Sequence, residues 1–223
     1  MEKLADDVYL LKGFPTYAIN VYLIWDVLLD AGTRWAKGRI LRQLRGHDVR
    51  AHALTHAHPD HQGASRAVCM ALDIPLWCGE GDADAMEDGD ISVLSPKNPN
   101  LFLQQMFWTG PGHPVAKRLK EGDTVAGFEV LDAPGHSPGQ VAYWRESDRL
   151  LILGDVLNGM NLITSKAGLH EPPVGFTIDP AQNRESARKL ARLEPELVCF
   201  GHGRPWRDMD SFQAFVAGLP NDA

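Results

Sequence analysis

The chain has 223 residues, 44% of them hydrophobic and 23% charged, and carries a formal net charge of −7. That length is enough for a large core and a deep site in one domain, and the composition is that of a globular protein rather than a disordered or fibrous one. The acidic balance argues against a nucleic-acid-binding surface, which needs a basic stripe.

No stretch is long enough and apolar enough to span a membrane, and the first residues, Met1 to Asp7, lack the apolar run of a secretion signal. Cys69, Cys78 and Cys199 are odd in number and scattered, which favours reduced thiols of a cytoplasmic protein over a disulfide framework.

Strands are expected over 8–11, 19–25 and 27–30, where β-branched and aromatic residues are interrupted by Gly13 and Pro15. Asp30 ends the third of these. It either caps the following turn or accepts a hydrogen bond from a metal-ligating histidine. Helical spacing at Ile40, Leu41 and Leu44 is closed by Gly46.

A strand over 51–55 then delivers His56-Ala57-His58-Pro59-Asp60-His61, four potential metal ligands within six residues. In extended backbone His56 and His58 point to the same side. Asp60 and His61 fall where the strand gives way to a turn and a helix, so one peptide can serve two adjacent metals. Imidazole nitrogen and carboxylate oxygen together suit zinc, iron or manganese. His52 reads as a strand residue with a hydrogen-bond partner, not a ligand.

A helix over 63–72 and a strand over 74–78 follow. Residues 79–121 are rich in Gly, Asp, Pro and Asn around an apolar island, Leu101-Phe102-Leu103 and Met106-Phe107-Trp108. Two readings stay open: a lid-like insertion walling a pocket, or a surface subdomain that packs these aromatics on itself. His113, beside Pro114, reads as a helix start. A strand over 128–131 ends in a Gly/Pro turn holding His136, and a strand over 149–153 ends in Gly154-Asp155. Residues 156–178 read as a loop lining the site, with His170 either solvated or touching substrate. A helix over 180–193, a strand over 197–200 ending in Gly201-His202-Gly203, and a short helix over 209–219 complete the chain.

Seven ligand candidates therefore sit at strand ends: His56, His58, Asp60, His61, His136, Asp155 and His202. Ligands at the ends of successive strands converge on one sheet edge, and strands alternating with helices in two halves fit a layered α/β protein. The set His56-x-His58-x-Asp60-His61, Gly135-His136-Ser137, Gly154-Asp155 and Gly201-His202-Gly203, with Asn20 to Ile24 and Asp30-Ala31-Gly32, resembles the metallo-β-lactamase fold superfamily along essentially the whole chain. The resemblance implies an αββα four-layer sandwich. It assigns His56, His58 and His136 to one metal, Asp60, His61 and His202 to a second, and Asp155 to a bridge between them. Zinc is the expected metal, with iron or manganese also suited to these donors.

Two departures narrow the resemblance. Asp155 stands where the best-known lactamases carry a cysteine, which argues against β-lactam hydrolysis, and His58 stands where the diiron flavoprotein branch has an acid. The chain is also too short for the helical domain by which glyoxalase II enzymes bind glutathione. A compact glyoxalase-II-like hydrolase is expected, in which hydroxide held by two metals attacks a small ester, lactone or thioester and Asp60 orients the nucleophile and takes its proton. A phosphodiesterase, or an iron-dependent sulfur dioxygenase on the same fold, is the alternative. Phe102, Met106, Phe107 and Trp108, with His170 and Phe176, are the expected substrate contacts. The expected partner is a small molecule, with neither nucleic acid nor membrane; a homodimer is allowed.

Overall fold

Alternation along the strands decides the architecture. The computed structural model describes residues 1–97 and 106–221. In Tyr22–Ile24 and Val27–Leu29 every residue is buried. Tyr22, Ile24, Val27 and Leu29 enter one hydrophobic cluster, while Leu23 and Leu28 enter another. Strands apolar on both faces must be covered on both sides.

The first sheet runs in sequence order through β1 (Glu2–Ala5), β2 (Val8–Leu10), β3 (Tyr22–Ile24), β4 (Val27–Leu29), β5 (Ala51–Ala53), β6 (Leu76–Gly79) and β7 (Val115–Leu119). Its first four strands form an antiparallel meander, and β4 to β7 are parallel. The remaining strands are β8 (Thr124–Val125), β9 (Phe128–Asp132), β10 (Val141–Arg145), β11 (Leu150–Ile152), the hairpin β12 (Asn158–Met160) and β13 (Ala167–His170), and β14 (Leu197–Cys199). The second sheet has the order β14-β11-β10-β9-β8, with β14 parallel to β11.

One cluster fills the space between the sheets, drawing Tyr22, Ile24 and Leu29 from the first and Val130, Tyr143 and Ile152 from the second. On the outer face of the first sheet, Leu23 and Leu28 pack against Ile40 of α1 (Lys37–Gln43) and Val68 of α3 (Ser65–Leu72), beyond the short α2 (Pro59–Gln62). Farther along that face lies α4 (Glu80–Asp88), whose Ala85 and Met86 share a cluster with Leu76 and Cys78. On the outer face of the second sheet, Trp144 and Leu151 meet Leu190 of α5 (Pro180–Ala191) and Phe212 of α6 (Met209–Ala217). The result is helix, sheet, sheet, helix: the expected αββα sandwich. Truncating a fully buried side chain such as Leu23 or Leu151 to alanine costs about 2–5 kcal/mol.

Two local expectations are corrected. His113 begins no helix; it donates its backbone N–H to Met86 O and leads into edge strand β7, whose alternating exposure is the half-buried pattern of a strand. Residues 156–178 contain the β12–β13 hairpin. Within 79–121 the described residues include α4, a 3-10 turn at Ile91–Leu94 and β7. Strand β1 was not expected at all, because its four residues, two of them charged and exposed, carry no apolar period.

Strand direction places the site. β9 and β14 both run parallel to β11, since β10 is antiparallel to β9 and to β11. The loops after β9, β11 and β14 therefore open at the same edge of the second sheet.

Candidate metal centre

The end of β5 runs through Leu54 and Thr55 to His56 and His58. Pro59 starts α2, which carries Asp60 and His61 on one turn. The loop after β9 brings His136, the turn after β11 brings Asp155, and the turn after β14 brings His202. All seven predicted ligands meet. Donor atoms of His56, His58 and His136 lie within 4.8 Å of one another, as do those of His56, His61 and Asp155, and those of Asp60, His61 and His202. Asp155 lies between the groups: its Oδ2 is 3.1 Å from His202 Nε2 and 3.6 Å from His136 Nε2, and its Oδ1 is 3.6 Å from His61 Nε2.

Outer hydrogen bonds fix each imidazole. Asp30 Oδ2 accepts from His61 Nδ1 at 2.8 Å, and Ala18 O accepts from His202 Nδ1. Leu94 O accepts from His58 Nε2 at 3.0 Å. Thr55 Oγ1 donates to Asp30 Oδ2, so it accepts from His56 Nδ1 at 3.1 Å. Thr177 Oγ1 donates to Pro173 O, so it accepts from His136 Nδ1 at 3.2 Å. With one ring proton committed outward on each, five ring nitrogens face a common centre, and each neutral imidazole turns a lone pair toward it.

That arrangement tests the fit of a metal. His58 Nδ1 and His136 Nε2 are 2.9 Å apart with no proton left to share in these tautomers, and His56 Nε2 and Asp155 Oδ1 are buried without a hydrogen-bond partner. Buried acceptors facing one another are costly unless a cation sits among them. The donor set, imidazole nitrogens plus carboxylates around a shared Asp155, fits a pair of divalent cations. Gly201 is required by this crowding: a Cβ there would lie 1.9 Å from Asp155 Oδ1 and 2.7 Å from His61 Cε1.

The two groups differ in charge. Burial pushes His136 down to about 3, with help from His58, and pushes His56 well below the usual imidazole range, with help from His61. Burial opposes protonation of His61 and His202 too, but carboxylates outweigh it. Asp155, Asp30 and Asp60 hold His61 well above its ordinary value, and Asp155 and Asp60 raise His202 to about 10. Burial favours the neutral acid at Asp60 and Asp155, yet the neighbouring histidines hold both carboxyls below their ordinary range.

Two cavities open on the centre, and Asp60, His202 and Leu162 line both. The larger, about 500 Å³, is walled by Phe14, Trp35, Trp108 and Met160, and the smaller, about 150 Å³, by Ser95, Ile163 and Phe176. Of the expected substrate contacts, Trp108 and Phe176 face these cavities. Phe107 is 54% exposed, and neither it nor His170 on β13 lines either one. Phe102 lies outside the described residues. Asp30 takes the role of histidine acceptor, and His52 bonds Leu28 O and Ser65 Oγ as a strand residue.

Asp82 escaped sequence reasoning. Buried on α4, it accepts from Ala57 N, Ser137 Oγ and Gly139 N, and so ties the His56–His58 peptide to the His136 loop. Within the acidic run Gly81-Asp82-Ala83-Asp84 only its i, i+3, i+4 relation to the buried Ala85 and Met86 singles it out.

A family model described as the metallo-beta-lactamase superfamily matches residues 15–202. The chain is 29% identical over 220 residues to the probable metallo-hydrolase YflN of Bacillus subtilis (strain 168), covering 86% of this chain and 83% of that protein. It is 28% identical over 158 residues to a hydroxyacylglutathione hydrolase of Bdellovibrio bacteriovorus, covering 69% of this chain and 48% of that one. The crystal structure of TTHA1623 in a di-iron-bound form superposes with a TM-score of 0.60 at 30% identity, covering 90% of this chain and 88% of that one. The chain belongs to the metallo-beta-lactamase superfamily of metal-dependent hydrolases.

Proposed function

We propose that this protein hydrolyses a small carboxylic ester, lactone or thioester at a centre of two divalent metals. The observation that carries the reading is the placement of Asp60: a carboxylate of the second ligand group that also lines both cavities, beside mostly apolar walls. His56, His58 and His136 would hold one metal, His61, His202 and Asp60 the other, with Asp155 between them. Two bound cations supply Lewis acidity that brings the pKa of water toward neutrality.

The chain's own groups do the rest. Asp60, 3.3 Å from His202 Nε2, keeps its carboxylate ionised at neutral pH and is placed to orient the attacking water and take its proton. Trp35, Trp108 and Met160 offer an apolar wall to an acyl chain. Among the described residues all three cysteines are buried and Ser137 Oγ donates to Asp82, while Ser95 Oγ, on the smaller cavity, lies 3.0 Å from His58 Nε2, a nitrogen whose proton goes to Leu94 O and which therefore offers the hydroxyl no base.

Zinc is our first assignment, and iron the second because of the di-iron neighbour. The three free, buried thiols support a reducing, cytoplasmic setting. Metal-loaded protein offered a thioester, a lactone, an aryl ester and a bis-phosphodiester is expected to turn over the first three classes, with metal content of about two per chain by elemental analysis. Turnover confined to the phosphodiester would overturn the substrate class.

A further inference from the structure

Arg39 is out of keeping with its surroundings. It lines the larger cavity among Phe14, Trp35, Trp108 and Met160, the cavity that also opens on Asp60 and His202. Nη1 donates to Lys12 O at 2.8 Å, and among the described residues the guanidinium has no carboxylate partner. A half-buried guanidinium without a counter-ion gives up part of its hydration for a single neutral carbonyl and keeps donors to spare.

Its position is registered to the metal centre. Ala31 N donates to His61 O, and Asp30 holds the His61 ring, so the chain entering α1 starts from the second ligand group. The cavity thus presents reacting groups at one place, an apolar wall, and one unpaired planar cation elsewhere on its lining.

We propose that Arg39 is a specificity residue that binds a carboxylate on the substrate. The preferred substrate would be an ester or thioester with a carboxylate remote from the scissile bond and a short apolar chain between them lying against Trp35 and Trp108. A planar guanidinium fork matches a carboxylate in two parallel hydrogen bonds, which an ammonium does not. The word substrate rests on the hydrolase reading above; the carboxylate site itself does not.

The test uses the full-length, metal-loaded protein and two aryl esters of equal chain length, one ending in a methyl group and one in a carboxylate. The wild type is expected to favour the carboxylate-ended ester in kcat/KM. In Arg39→Met that preference should fall roughly 10- to 100-fold, and Arg39→Lys should restore only part of it. Gln43 also holds Lys12 O, at 3.0 Å, so the turn above the cavity keeps a tether in both variants.

In parallel, the matching non-hydrolysable amides are titrated into each protein by calorimetry. Weaker binding of the carboxylate-ended amide alone in Arg39→Met supports the site even if no ester is hydrolysed, in which case the hydrolase reading fails and this one stands. Ester turnover with an unaltered preference in Arg39→Met overturns the proposal and leaves the hydrolase reading intact. Equal weakening of both amides, or tighter binding of a phosphate-ended amide, overturns it as well.

Discussion

The two halves of the metal centre are built from the same side chains and supported in opposite ways. His56, His58 and His136 lean outward on neutral acceptors, the Thr55 and Thr177 hydroxyls and the Leu94 carbonyl. His61 and His202 sit among the carboxylates Asp30, Asp60 and Asp155. Burial keeps His56 and His136 poor in protons and ready to bind a cation, whereas His61 and His202 store protons until a cation displaces them. Binding through the first two rings therefore releases few protons near neutrality, and the two imidazoles among carboxylates make a half that responds to pH.

The largest expected effect that separates the halves is on turnover. Asp60→Asn should lower kcat about 10²- to 10⁴-fold while circular dichroism shows the fold retained, because the loss falls on proton transfer. A fully metal-loaded Asp60→Asn protein with near-normal activity would refute that role.

Next comes metal affinity. Asp30→Asn removes the charged acceptor of His61 and should weaken the second metal roughly 10- to 100-fold, with a smaller loss at the first through Thr55, which leans on Asp30 and holds His56. Equilibrium dialysis reads this as a drop from two tight sites to one, and equal weakening of both would break the comparison.

The pH response sharpens it further. His202, at about 10 in the metal-free chain, must release its proton to bind, and so must His61, so affinity of the second half should fall at least tenfold per pH unit below that value. His136, at about 3, has none to release near neutrality. The raised pKa of His202 stabilises the metal-free fold most fully below its ordinary 6.5, and that contribution is lost as pH climbs through about 10. The rise in Tm that metal produces should accordingly grow from pH 6.5 to 10. A rise independent of pH would count against the carboxylate argument.

Smallest is Thr177→Val, which removes the His136 acceptor at a cost of about 1 kcal/mol. It should weaken the first metal about fivefold and leave the second unchanged in the same dialysis experiment.

Much of the centre was legible in the sequence because its ligands are chemically conspicuous and sit where apolar runs stop. His136, Asp155 and His202 each follow a strand and a glycine, and strand ends gather at an edge whatever the details of packing. Asp30 was readable only as a choice between two roles, since the distance to His61 depends on two strands and a helix being in place. Asp82 and Arg39 were hidden for a different reason. Each lies on a helix whose charges look like a solvated face, and only the tertiary fold turns one charge inward. The Leu94 carbonyl carries no sequence signal, because every residue has one. The β12–β13 hairpin was missed because its strands alternate weakly, with four partly exposed residues in β13.

The clamp on the last ligand has a consequence for how the protein is made. Asn20 Nδ2 holds the carbonyls of Phe200 and Gly203, and Tyr22 Oη holds Phe200 as well, contacts that span up to 183 positions of chain. During synthesis β3 and the residue Asn20 before it emerge long before residues 200–203, and these bonds wait for that later segment. His56, His58 and His136 have all emerged by then, whereas His202 joins only as the final strand docks. The triad of histidines is thus available to a growing chain, and the second half of the pair is a property of the finished one.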